Sequence, residues 1–149
     1  MYKTILVPLD GSKRAEAIMP YVESLAECYG ARVILLQVVE PQSHIVGPDH
    51  IYPLLDQYAL EQRTEEAVTY LASQQGKLQH KDIPSQVCIA YGPAVKEISK
   101  AAEREGAELI AMASHGRTGL ARVFYGSVAA GVLHRVDRPL LLIRSLDRD

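Results

Sequence analysis

Short apolar runs that alternate with longer stretches of helical periodicity constrain the fold more than any other feature of this chain. Between the runs, apolar residues recur every three or four positions, which is the spacing of a buried helix face. The second run is apolar on both faces, as expected for a strand covered on both sides of a parallel sheet. The runs comprise residues 5–7, 32–39, 85–90, 109–113 and 140–143.

This βαβαβαβαβ order predicts an α/β fold, a Rossmann-like doubly wound sandwich whose five-stranded parallel sheet carries helices on both faces. We expect the strand order 3-2-1-4-5 and a single domain over residues 1–149. In such sheets the ligand crevice lies beyond the carboxyl ends of the strands, where the strand order reverses. These ends fall at residues 8–12, 38–41 and 113–116.

Composition argues against several classes of partner. The formal net charge of −2 gives no basic surface for nucleic acid or an anionic membrane. No window is apolar enough to span a membrane, and the first apolar run is too short for a signal peptide. We therefore expect a cytoplasmic protein. Cys28 and Cys88 both lie in apolar segments, which predicts two buried, reduced thiols.

The most informative loop follows the fourth strand and extends over residues 114–125. Gly126 and Ser127 then begin the last helix, where free N–H groups and the helix dipole favour an anion. Arg117 adds positive charge. The same residues also suit a loop turn and a helix cap. The chain contains neither the P-loop pattern nor G-x-G-x-x-G.

Two titratable residues near these ends have competing interpretations. Asp10 is either a ligand of ribose or of a metal ion, or the first residue of an Asx-type turn. His115 has no partner in the sequence that would orient it as a general base, so we expect a structural or weak contact role. The sequence therefore predicts no catalytic residue.

Three segments together resemble the universal stress protein family over essentially the whole chain. They are V-P-L-D-G-S at residues 7–12, R-P-L-L-L-I at residues 138–143, and a version of the nucleotide motif G-x2-G-x9-G-[ST] at residues 113–127. Ala113 replaces the first motif glycine, whereas Gly116, Gly126 and Ser127 match. If the backbone there requires positive φ, the alanine costs about 1 kcal/mol.

The resemblance implies that the chain binds ATP, or AMP or ADP, together with Mg²⁺ or Mn²⁺. By position, Asp10 would lie beside the ribose or metal, the Val38 backbone would contact adenine, and Met112 would wall the base pocket. Ala113 would lie against the sugar, and backbone N–H groups at positions 116 and 126–128 would hold the phosphates. The full predicted set is Pro8, Leu9, Asp10, Val38, Met112, Ala113, Ser114, His115, Gly116, Arg117, Gly126, Ser127 and Val128, with Asp10 as the metal ligand.

The resemblance further implies a homodimer through the final strand, and a regulatory function in the stress response that changes with bound nucleotide. Two alternatives stay open at this point. The protein is a dimeric interaction module without nucleotide, or it is a slow ATPase. The sequence does not identify the signalling partner.

Overall fold

Five parallel strands form one sheet in the order β3-β2-β1-β4-β5, as the sequence predicts. The computed structural model describes residues 1–41, 52–116 and 126–146. The strands are β1 (Thr4–Pro8), β2 (Arg32–Val39), β3 (Ser85–Tyr91), β4 (Leu109–Gly116) and β5 (Leu140–Leu146). The helices are α1 (Met19–Tyr29), α2 (Tyr52–Gln79), α3 (Ala94–Arg104) and α4 (Ser127–Arg135).

The core lies in two layers, one on each face of the sheet. Side chains of alternate strand residues point to opposite faces. Ile5 and Val7 of β1 therefore pack with residues of α1 and α2, whereas Leu6 packs with residues of α3 and α4. Because both faces are covered, the central strands are apolar at nearly every position.

The connection from β1 to α1 is tight. Ser12 Oγ accepts a hydrogen bond from the Ala15 N–H at 3.1 Å, at the start of a single 3-10 turn that precedes the helix. Gly30 ends α1 with a φ of 63°, a left-handed conformation that favours glycine. The helix therefore begins after this turn, at Met19, and ends at Tyr29, directly before Gly30.

Pro8 ends the pairing between the two central strands at the switch point. The register joins β1 to β4 through Ile5 with Leu109 and Leu6 with Ile110. Along β1, the backbone N–H and C=O groups of successive residues point in turn to the strand on one side and the strand on the other. Pro8 therefore faces β4, as Leu6 does. It has no N–H to donate there. The β1–β4 ladder therefore stops at the carboxyl edge, and a crevice opens between the strands.

The structure corrects three predictions about local detail. β4 and β5 continue past residues 113 and 143 and stay paired as far as Gly116 with Leu146, so Ser114 and His115 belong to a strand rather than to a loop. Cys88 is half-buried, but Cys28 is exposed. The buried side of α1 includes Ala26, and Cys28 lies about 200° around the helix from that position.

Within the described ranges, no helix is both long enough and apolar enough to cross a membrane.

Candidate functional site

A cavity of about 120 Å³ lies in the crevice at the carboxyl ends of β1 and β4. The helices α3 and α4 close its sides with small or apolar residues, and the strand ends supply the remaining wall. Its lining residues are Pro8, Leu9, Asp10, Ala15, Val38, Ala94, Ile98, Met112, Ala113, Ser114, Gly126, Val128 and Ala129.

The Val38 backbone presents one donor and one acceptor to this crevice. The Leu36 carbonyl accepts from the Leu9 N–H at 2.8 Å, on the β1 side of β2. The Val39 carbonyl accepts from the Gly92 N–H at 3.2 Å, on the opposite, β3 side. Since alternate residues face alternate neighbours, the N–H and C=O of Val38 point toward β1, which has already ended.

Asp10 forms an Asx-type turn and also lines the cavity. Its Oδ1 accepts hydrogen bonds from the Ser12 N–H at 2.9 Å and from the Ser12 hydroxyl at 2.6 Å. Gly11, between them, has a φ of +85° that side chains rarely adopt. The turn fixes the carboxylate at the rim of the crevice while its second oxygen, Oδ2, takes no part in these bonds. The two interpretations of Asp10 are therefore compatible.

Glu40 connects the end of β2 to both α3 and α2. Its carboxylate Oε1 accepts from the Ala94 N–H at 2.9 Å, at the first residue of α3. Its backbone carbonyl accepts from Arg63 Nη2 at 2.6 Å. An acidic group at a helix N-terminus satisfies a free N–H and opposes the positive end of the dipole. Glu40 thus fixes the α3 wall of the cavity, a role that the sequence did not suggest.

The start of α4 forms the opposite wall. Gly126 is the N-cap residue, with φ −45° and ψ 153°, and no described side chain caps the helix. Within the described ranges the N–H groups of the first turn therefore have no capping partner, and they lie at the positive end of the helix dipole beside the cavity. Ser127 is exposed and does not line the cavity, whereas Val128 and Ala129 do.

Most of the predicted site residues come together in this one cavity. Of the predicted residues whose surroundings are described, Ser127 is the exception. His115 and Gly116 pair with β5 at the end of β4, and their side-chain surroundings lie outside the description. Arg117 lies outside the described residues. Four lining residues were not predicted from the sequence, although Ile98 and Ala129 lie on the helix faces whose periodicity predicts burial. The missed residues are Ala15, Ala94, Ile98 and Ala129.

Ala113 is accommodated without strain in its backbone. It lies in extended β4, paired with Ile143. Among the described non-glycine residues only Asp82 has a positive φ. The energetic cost expected for an alanine in the left-handed region therefore does not arise here.

Comparisons with known proteins cover nearly the whole chain. A family model described as the universal stress protein family matches residues 1–144. Universal stress protein MJ0577 of Methanocaldococcus jannaschii is 30% identical over 155 residues, covering 97% of this chain and 96% of that protein. The solved structure of MJ0577 has a TM-score of 0.84 to this chain at 29% identity and covers 99% of each.

A more distant structure shows how widely the fold is shared. The universal stress protein from Archaeoglobus fulgidus in complex with dAMP has a TM-score of 0.61 and 17% identity. It covers 95% of this chain and 98% of that one. At that identity the likeness concerns the fold alone.

Proposed function

Because the chain belongs to the universal stress protein family, we propose that it binds ATP in the cavity between β1 and β4. In this proposal the protein is a single cytoplasmic domain that serves as a nucleotide-dependent regulatory module in the stress response. The adenine lies between β2, α3 and Met112. The phosphates extend toward the start of α4.

The observation that carries the proposal is the Val38 backbone beside an apolar wall: its N–H and C=O have no hydrogen-bond partner among the described residues. Adenine has a ring nitrogen that accepts a hydrogen bond next to an amino group that donates one. The Val38 N–H and C=O are complementary to that edge. Ile98 and Met112 offer the apolar surface that a purine ring covers, in keeping with sites that are mostly apolar with few polar groups.

The described residues are also compatible with Mg²⁺ or Mn²⁺ carried by the phosphates. Protein sites for Mg²⁺ commonly use one or two carboxylates together with substrate phosphates and water. Asp10 supplies one such carboxylate at the cavity wall. In the described part of the chain no group of three His, Cys, Asp or Glu side chains could hold a metal. The cation, when bound, would therefore neutralise the phosphates rather than occupy a protein cage.

Binding is favoured over hydrolysis by the chemistry of the lining. Among the described lining residues, Asp10 is the one side chain that titrates, and its Oδ1 is engaged with Ser12. A general base is usually oriented toward the attacking water by a partner side chain, and no second ionisable side chain occurs among the described lining residues. We therefore assign the site to nucleotide binding, with at most slow turnover.

Thermal unfolding with Mg-ATP, AMP and GTP tests this proposal. A ligand at one hundred times its dissociation constant adds about 2.7 kcal/mol to the free energy of unfolding. That corresponds to an increase of several degrees in Tm for a domain of this size. We expect this rise with ATP, a smaller one with AMP and none with GTP, whose ring edge presents the opposite donor and acceptor.

A matched pair of variants at the N-cap of α4 locates the phosphates. Asp and Asn are equally favourable N-cap residues, so both Gly126→Asp and Gly126→Asn should preserve the helix. Only the aspartate places a negative charge beside the phosphates. The ATP-dependent rise should therefore disappear in Gly126→Asp and persist in Gly126→Asn. If the ATP-dependent increase in Tm disappears in both variants, or persists in both, the phosphates do not bind at this helix.

We also propose that β5 pairs with a second copy of the chain to form a homodimer. β5 is an edge strand, and its apolar residues 140–143 are only half-buried. The alternation of the ladder directs the Arg144 N–H away from β4. Arg144→Pro removes that outward donor without touching the β4 ladder, and Arg144→Ala is its control. Sedimentation should show a monomer for the proline variant alone, and an unchanged dimer would exclude β5 pairing.

A further inference from the structure

The proposed base site depends on two surfaces that belong to different elements of the fold. The Val38 backbone of β2 would face the edge of the base, and Ile98 of α3 would lie against its plane; both line the cavity. Non-bonded carbon atoms attract each other best at about 3.5–4.0 Å, so a flat ring packs well only if the two surfaces keep the right separation. Whatever holds α3 against the end of β2 therefore determines how well a base fits.

Glu40 joins these two surfaces, although it is not among the described lining residues of the cavity. Its carboxylate Oε1 accepts a hydrogen bond from the Ala94 N–H at 2.9 Å, across 54 positions of sequence. In β2 the Val38 backbone lies just before Glu40. In α3, Ala94 and Ile98 are one helical turn apart, so they lie on the same face of the helix, and both line the cavity. The hydrogen bond thus connects the two walls directly.

The backbone around Glu40 is itself held by neighbouring elements. The Glu40 carbonyl accepts from Arg63 Nη2 of α2 at 2.6 Å, and the Val39 carbonyl accepts from the Gly92 N–H at 3.2 Å. At the start of α3, the N-cap residue is Pro93, whose side chain makes no capping hydrogen bond. The Glu40 carboxylate therefore reaches the start of α3 from a fixed position and replaces the local cap that the helix lacks.

We propose that Glu40 is a positioning residue of the nucleotide site, which holds the α3 wall at the distance from the Val38 backbone that a purine base requires. This inference rests on the proposed nucleotide binding, and it concerns the base rather than the phosphates. Because Glu40 does not touch the ligand in this arrangement, its effect passes through the hydrogen bond to Ala94. Loss of that bond should therefore weaken the binding of ATP and ADP by the same factor.

Calorimetric titration with Mg-ATP and with Mg-ADP tests the proposal. Glu40→Ala should weaken the binding of both nucleotides about tenfold, as expected for one hydrogen bond to a charged group. If the carboxylate acted through its charge instead, its removal would strengthen binding, and more for ATP than for ADP. Glu103→Ala removes an exposed carboxylate of α3 outside the cavity, so this control should leave both affinities unchanged.

A matched pair of variants separates the reach of the side chain from its charge. Glu40→Gln keeps the length of the side chain and an acceptor oxygen but not the charge, whereas Glu40→Asp keeps the charge on a shorter side chain. A neutral hydrogen bond is weaker than a charged one, so the glutamine variant should retain the affinity for ATP within about threefold. The aspartate variant should lose as much affinity as Glu40→Ala. The opposite ranking would overturn the proposal.

A double variant separates positioning from helix capping. When Glu40→Ala is combined with Pro93→Asp, the net charge is kept, and the new side chain can accept from an N–H of the first turn of α3. It caps the helix locally but does not connect it to β2. Amide exchange in the first turn of α3 should therefore become slow again, whereas the affinity for ATP should not return. If both return together, Glu40 is a helix cap only and the proposal is wrong.

Amide exchange at Ala94 in the ligand-free protein supplies a readout that does not depend on nucleotide. Exchange should be slow in the wild type and in Glu40→Gln, and fast in Glu40→Ala. Equal rates in the wild type and in Glu40→Ala would show that the contact is absent and would overturn the proposal. If the wild type binds no Mg-ATP, the proposed function fails and this inference fails with it. If the wild type binds Mg-ATP and Glu40→Ala binds it equally well, only the positioning role is refuted.

Discussion

Gly131, in the middle of α4, packs closely against Val95 of α3. A Cβ atom built on Gly131 would lie 2.6 Å from Val95 Cγ2 and 3.3 Å from Val95 Cγ1. Carbon atoms attract each other best at about 3.5–4.0 Å, so the first distance is deeply repulsive. Val95 is β-branched and has little freedom to turn away. We therefore predict that Gly131→Ala forces the two helices apart.

The magnitude follows from two opposing contributions. Replacing a mid-helix glycine with alanine stabilises a helix by about 1 kcal/mol. Overpacking a filled contact costs about 1–3 kcal/mol. We expect a net loss of about 1 kcal/mol, which lowers the Tm by about 2–4 °C. Urea and thermal unfolding of the purified variant measure both quantities.

The effect of Gly131→Ala on stability should change sign when the Val95 side chain is shortened. In a Val95→Ala background the clashing methyl groups are absent, so Gly131→Ala should stabilise by about 1 kcal/mol. Gly76→Ala, in α2, is the control, because nothing lies within 4 Å of its Cβ position. It should stabilise in any background. If Gly131→Ala stabilises the otherwise wild-type protein as Gly76→Ala does, the close approach of α3 and α4 is wrong.

Two further predictions concern stability. Arg138 Nη1 donates to the carbonyls of Ala102 at 2.8 Å and Ala107 at 3.0 Å. Arg138→Met should therefore lower the free energy of unfolding, measured in urea, by about 2 kcal/mol. A decrease no larger than that caused by Arg135→Met, at an exposed position, would contradict this role. Burial raises the pKa of the Tyr70 hydroxyl above its ordinary value of 10.0 in the folded protein. The contribution of the neutral hydroxyl to the free energy of unfolding is therefore complete below pH 10 and is lost as the pH rises through the folded-state pKa. Melts above pH 10 should therefore decline less steeply for Tyr70→Phe, and parallel curves would exclude the effect.

The strand order was predictable because the second run is apolar on both faces, as in a parallel sheet, and because right-handed crossovers leave few possible topologies. The position of the crevice follows from that order. The carboxyl ends of β4 and β5 were not predictable from apolar patterning, since Ser114 and His115 resemble loop residues. Their backbone groups nevertheless pair with β5 as far as Gly116 and Leu146. Backbone hydrogen bonding in a ladder does not require an apolar side chain.

The cavity was predicted better on the strand side than on the helix side. Asp10 and Val38 lie at or just beyond the ends of β1 and β2, and topology alone brings those ends together. The contact of Glu40 with the start of α3 depends on a side chain that reaches a residue 54 positions away. No local pattern encodes such a contact. The nucleotide specificity, the dimer and the metal stay predictions.

Amide hydrogen exchange at Val38 is the most direct test of the proposed adenine contact. The Val38 N–H points into the crevice, whereas the Val39 N–H faces β3 on the other side of the same strand. Saturating Mg-ATP should slow exchange at Val38 strongly and leave Val39 nearly unchanged, with GTP affecting neither. If ATP binds but exchange at Val38 is the same with and without it, the base lies elsewhere and the central claim is wrong.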